Sequence, residues 1–210
     1  MKRFVICLLL VCSVVLAEAQ TVEELFVKMP DGLITQLEEA WRKDLVDLYK
    51  SDRHASLENT MQGKSTLQKL TDDYMLLHST EHSTVELKLL PLVNNTHIIC
   101  MIETVFGPVA DSRLSFYSTE WGELSSDGLF VPVAEDWFFK DDVDRLSTEF
   151  LDITARLDMY LVKYSFCAEN TNLTAEYMTP VYIGEEQQKK VEAMLKTSPK
   201  TYEWKFGRFE

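Results

Sequence analysis

The five residues His78-Ser79-Thr80-Glu81-His82 spell H-x-x-E-H, the inverted zinc-peptidase pattern. That chemistry needs a helix. Positions i and i+4 on one helical face aim both imidazoles at a single metal, with the glutamate beside the bound water. The flanks argue for strands instead: Tyr74 to Leu77 precede the motif, and in Thr84 to Leu92 the residues Val85, Leu87 and Leu89 alternate with Glu86 and Lys88. The sequence thus predicts a polar connection between two strands and no metal site. A hydrolase, metal-assisted around His78 and His82, is the alternative function. His54 and His97 stand alone. No serine occupies a G-x-S-x-G elbow and no glycine-rich loop could cradle a phosphate, so neither a catalytic residue nor a cofactor is assigned. Cys100 and Cys167 sit among apolar neighbours, where a thiol stays protonated and inert. In an oxidising compartment a Cys100–Cys167 disulfide is the competing expectation. The acidic runs Glu135-Asp136 and Asp141-Asp142 with Asp144 lack the central glycine of a calcium loop, and read as favourable charge at a helix start.

Aromatic residues carry the other signal. Phe116, Tyr117, Trp121, Trp137, Phe138 and Phe139 crowd one third of the chain. The stretch from Trp121 to Phe139 has neither a helical nor a strand period. Loops run over the surface, so large aromatics on one either fold back as a lid on the core or meet a partner. Trp121, Trp137, Phe138 and Phe139 are accordingly the candidate binding residues, for a protein or a glycan.

The elements that must position these residues follow from the hydrophobic period. Thr21 can cap a helix over residues 22–29, and after Pro30-Asp31-Gly32 the helical period resumes from Leu33 to Lys50. Residues 52–63 are polar and loop-like. From Lys64 to Tyr117 the period changes to two, with turns at Asp72-Asp73, Asn94-Asn95 and Gly107-Pro108, which makes an antiparallel meander. Within it Ile98, Cys100 and Ile102 should face the core together. A helix is expected over 141–151, a hairpin over 157–183 around Asn170-Thr171-Asn172, and an amphipathic helix over 185–196. Tyr202, Trp204 and Phe206 should alternate in a last strand. Strands in blocks with helices at both ends make the fold class α+β, mainly an antiparallel sheet.

Lys2 and Arg3, the apolar run from Phe4 to Val15 and the small residues Ala17 and Ala19 form the three-part pattern of a secretory signal, with cleavage expected after Ala19. The apolar run is about a dozen residues, short of the roughly 20 that span a bilayer. Neither Cys7 nor Cys12 follows a small residue, so neither is a lipid acceptor. Residues 20–210 would then form one α+β domain, exported to the periplasm or the medium, with no later membrane insertion. The formal net charge is −13, which repels phosphate backbones and argues against nucleic acid as a partner.

Several phrases together carry a family likeness. They are Glu24-Leu25-Phe26 with Met29-Pro30-Asp31, Leu70-Thr71-Asp72-Asp73-Tyr74, Lys88-Leu89-Leu90-Pro91, Thr104-Val105-Phe106-Gly107-Pro108 and Phe116-Tyr117-Ser118-Thr119-Glu120-Trp121. Thr179-Pro180-Val181-Tyr182-Ile183 before Glu185-Glu186 adds to them. In these the chain resembles an exported domain-of-unknown-function family of Bacteroidales bacteria, over nearly all of its length after the leader. The resemblance implies bacterial export, and with it no use of the N-glycan acceptors at Asn94 and Asn172. It implies no activity and no catalytic residue. Some relatives carry a cysteine near the Gly-Pro turn, where this chain has Val105 and Ala110, which counts against a family-wide disulfide. The function expected is a non-catalytic envelope or secreted binding module.

Overall fold

Thr21 opens the first helix as the sequence predicts. Its hydroxyl accepts from the Glu24 N–H at 3.3 Å, and α1 runs over Val22–Lys28. The computed structural model describes residues 20–210, and the predicted leader, residues 1–19, lies outside them. The second helix starts later than its apolar period suggests: Asp31–Leu33 is a single 3-10 turn and α2 spans only Glu39–Lys50. The Thr60 N–H and hydroxyl bond the carbonyls of Gln36 and Thr35, which holds that connection out of the helix. Leu37 still points inward, 1 % exposed, so its period reflected burial and not helicity.

Seven strands follow: β1 (Ser56–Glu58), β2 (Lys64–Leu70), β3 (Tyr74–Thr80), β4 (Ser83–Pro91), β5 (His97–Phe106), β6 (Ala110–Ser118) and β7 (Glu123–Leu124). They pair antiparallel in chain order, a pure meander. Short β1, in the segment read as loop, is an addition. A helix α3 (Thr148–Thr154) comes next, then the hairpin of β8 (Val162–Phe166) and β9 (Leu173–Tyr177). After these come α4 (Thr179–Tyr182), α5 (Glu185–Met194), β10 (Lys200–Tyr202), β11 (Trp204–Lys205) and β12 (Arg208–Phe209). Strand β10 extends the hairpin into a second, three-stranded sheet. The α+β class, mainly antiparallel, is what the pattern predicts.

Both faces of the large sheet are covered. Leu87, Leu89, Ile99 and Met101 pack with Val22, Leu25 and Phe26 of α1 and with Leu45 and Val46 of α2. The alternate residues Ile98, Cys100 and Ile102, with Phe116, pack against Val162, Tyr164 and Phe166 of β8 and Leu173 and Ala175 of β9. The expected inward set of β5 is thus correct, and its unbroken apolar run is explained by burial on both sides. Each such side chain stabilises by roughly 1.5–3 kcal/mol.

Burial on both sides also reaches the charged residues of β4. Glu86 and Lys88 alternate with leucines as solvent-facing residues would, yet they are 6 % and 0 % exposed, under the small sheet. The Glu86 carboxylate accepts from the Tyr74 hydroxyl at 2.9 Å and the Phe166 N–H at 3.1 Å. The Lys88 ammonium meets the Asp73 carboxylate at 2.8 Å and the Ala168 carbonyl at 3.2 Å. A second buried cation, Arg42, is 1 % exposed and donates to the carbonyls of Phe26, Val27, Met29 and Leu37 and to Asp31. It satisfies the carbonyls that the end of α1 leaves open, which ties α1 to α2.

Three further expectations fail locally. The hairpin predicted over 157–183 is shorter, because its second strand ends at Tyr177 and Thr179–Tyr182 is helical. Residues 141–147 are not helical: Asp144 accepts from the Leu146 N–H at 2.9 Å in a local turn, and Ser147 caps α3 instead. Phe206 does not continue a strand. It sits at the hairpin tip between β11 and β12 with φ 52°, followed by Gly207 at 82°, and is 86 % exposed.

Candidate functional site

The histidine motif folds as strand and turn. His78, Ser79 and Thr80 belong to β3, opposite Thr84 and Ser83 of β4, and Glu81-His82 is the turn between them. The connection is shorter than predicted because Thr80 still pairs with Ser83. His78 and His82 therefore lack the shared helical face that a zinc site needs. Among the described residues, no group of three or more His, Cys, Asp or Glu could hold a metal. His54 and His97 are exposed. Cys100 and Cys167 are both free thiols in this structure, the first buried and the second partly exposed. The Cys100 side chain faces the apolar cluster, and burial pushes its thiol well above the ordinary range. The Cys167 thiol turns outward to the Glu169 carboxylate at 3.3 Å. No helix among the described residues is long and apolar enough to cross a membrane.

The four aromatic candidates separate into lid and surface. Trp121, at φ 64°, folds back on the helical face: its indole N–H donates to the Leu25 carbonyl at 3.1 Å, and its ring lies 5.5 Å from that of Tyr117. Phe138 and Phe139 are 4 % and 3 % exposed, and so are core residues and not contact residues. Phe138 stacks on Tyr177 at 5.1 Å, and Phe139 meets Phe150 edge-on at 5.2 Å. Such rings stabilise most when desolvated, which is why the irregular segment folds inward at these two positions.

Trp137 is the exception. It lies in the 3-10 turn Glu135–Phe138 and remains half-buried. The next residues are clamped to the chain after α5: Phe139 bridges Leu195, the Lys140 N–H donates to the Met194 carbonyl at 2.9 Å, and the Lys196 N–H donates to the Phe138 carbonyl at 2.8 Å. This bridge fixes the indole beside residues 196–201. Lys196 and Lys200 place their ammonium groups 4.6 and 5.6 Å from the ring centre, within cation–π range. The Lys140 ammonium donates to the Ala193 carbonyl at 2.6 Å. Together Trp137, Lys140, Lys196, Lys200 and the hydroxyls of Ser198 and Thr201 line an open groove of about 620 Å³, and no carboxylate lines it. The nearest acid bound to the cluster is Asp141, 3.3 Å from Lys196 and 93 % exposed.

Sequence reasoning singled out Trp137 but not the lysines. Lys140 and Lys196 lie 56 positions apart, and the Phe139–Leu195 bridge brings them together.

Comparison with known proteins agrees with this fold and adds no chemistry. No curated protein matches the chain. A solved structure, described as a domain of an uncharacterized protein from Porphyromonas gingivalis W83, is similar with a TM-score of 0.80 and 28 % identity, over 90 % of this chain and 97 % of that one. Residues 14–209 match the family described as "Protein of unknown function (DUF3256)". The chain belongs to the DUF3256 family.

Proposed function

We propose that this protein is an exported, non-catalytic module of the cell envelope or the medium that binds a protein or a glycan through the groove at Trp137. The observation that carries the reading is a single half-buried tryptophan among lysines, held from both sides by packed backbone. Aromatics of this kind, rigid and partly solvated, dominate binding energy at recognition surfaces. The leader-like first 19 residues support export, and the charge of −13 makes nucleic acid an unsuitable partner.

Two experiments test this. Mass spectrometry of the protein recovered from its native cells should find a chain that starts at Gln20; retention of the leader would overturn export. Surface plasmon resonance against panels of envelope polysaccharides and envelope proteins should find a ligand whose affinity falls about tenfold or more in Trp137→Ala. The same substitution should leave the unfolding midpoint nearly unchanged. Undiminished binding by Trp137→Ala would move the site elsewhere.

A further inference from the structure

The geometry points to a ligand class for this groove: a saccharide chain bearing carboxylate or sulfate groups. This rests on the binding reading above and commits it to one chemistry. Three lysines line this groove on a protein whose acidic residues outnumber its basic ones by 34 to 21. A basic spot on an acidic surface selects for an anion that presents its charges locally, since a long polyanion would be repelled by the rest of the molecule. Lys196 and Lys200 are also pre-positioned by the indole ring, so less rotamer freedom is lost when they close on an anion.

The remaining lining favours sugar over peptide. Peptide recognition by helices and proline-rich segments relies on apolar or aromatic-lined grooves, and acidic peptide motifs are taken by arginine clusters, which this groove lacks. Apart from Trp137 and Pro199 the groove offers lysines and the hydroxyl residues Thr197, Ser198 and Thr201, donors suited to an oxygen-rich ligand. Lys140 and Lys196 are already engaged, by the Ala193 carbonyl and by Asp141. An incoming carboxylate or sulfate has to displace only the exposed Asp141 to bind Lys196.

Isothermal titration of the chain spanning residues 20–210 tests this with four probes: a heparin-type sulfated hexasaccharide, a galacturonate hexamer, a neutral hexasaccharide and a glutamate hexapeptide. At least one acidic saccharide should bind about tenfold tighter or more than both the neutral sugar and the peptide. The heparin-type sugar carries both groups, so equal or tighter binding of the galacturonate hexamer identifies carboxylate as sufficient, and tighter binding of the heparin-type sugar shows that sulfate adds to it. The double variant Lys196→Ala/Lys200→Ala should lose about tenfold, whereas Lys189→Ala/Lys190→Ala on α5 should lose nothing. Affinity should also fall as salt rises. The inference is overturned if the neutral sugar or the peptide binds as well, if no acidic sugar binds, or if both double variants behave alike. A neutral glycan or a protein that binds through Trp137 would overturn the anionic assignment and leave the binding reading intact.

Discussion

Removing Asp73 should damage the fold far more than removing the lysine it pairs with. Lys88 is 0 % exposed, and its ammonium has three partners: the Asp73 carboxylate at 2.8 Å, the Ala168 carbonyl at 3.2 Å and the Tyr74 ring, 5.6 Å from its centre. Asp73→Ala leaves a buried cation held only by a carbonyl and a ring. Breaking a buried pair from one side costs about 3–5 kcal/mol. Asp73 itself is 48 % exposed, so water already screens the pair, and the lower end, about 3 kcal/mol, is expected. Lys88→Met removes the buried charge, keeps the volume and leaves Asp73 solvated. Its cost should be at most about 1 kcal/mol, and a gain is within the same reasoning. The double variant should then match Lys88→Met, with a coupling of about 3 kcal/mol. Urea unfolding of the four proteins measures this, provided the denaturant slope stays constant. The reasoning fails if Asp73→Ala lies within about 1 kcal/mol of the parent, or if Lys88→Met is equally costly.

Burial raises the Glu86 carboxyl above the ordinary glutamate value, with its hydrogen bonds to Phe166 and Tyr74 opposing the shift. The folded state therefore holds its proton more tightly than the unfolded chain, and this residue's contribution to stability falls as pH rises through that window. Glu86→Gln should gain on the parent as pH rises above about 4, the ordinary glutamate range, as read by denaturation at each pH; a constant difference would place Glu86 in contact with water. In the native chain spanning residues 20–210, a maleimide should label Cys167 and leave Cys100 unmodified until denaturant is added, as peptide mass mapping will report. Phe206→Asn should stabilise by about 1 kcal/mol, because asparagine tolerates the left-handed backbone before Gly207 and the exposed ring packs on little. A lower unfolding midpoint for that variant would mean that the ring makes contacts in solution.

The meander was legible because its turns are short and its strands alternate. The inward set of Ile98, Cys100 and Ile102 followed from a period of two. Glu86 and Lys88 mark the limit of that signal: a period of two says which residues share a face, not whether that face meets water. Only the hairpin of β8 and β9, some 80 residues further on, closes over them. Asp141, Asp142 and Asp144 looked like the charged first turn of a helix, but Ser147 competed as the cap and won. Phe206 kept the alternation begun by Tyr202 and Trp204, and the glycine beside it marked the turn instead. At the site, Trp137 could be singled out by its irregular setting. Its lysines could not, since their meeting depends on the Phe139–Leu195 bridge.

Because strands β1 to β7 lie in the sheet in the order in which the chain supplies them, every pairing joins segments only a short turn apart. Closing such loops loses little chain entropy, so this sheet can assemble locally and early in folding. Its helical face is covered at once, since α1 and α2 precede it. The opposite face is not: Ile98, Cys100, Ile102 and Phe116 wait for residues 162–209 to arrive. In that interval the intermediate carries a bare apolar sheet, the state in which chains associate with one another instead of with themselves. A chain stopped shortly after β7 is thus expected to form its sheet and then aggregate through that face, whereas loss of the Trp137 groove alone leaves the folding route untouched.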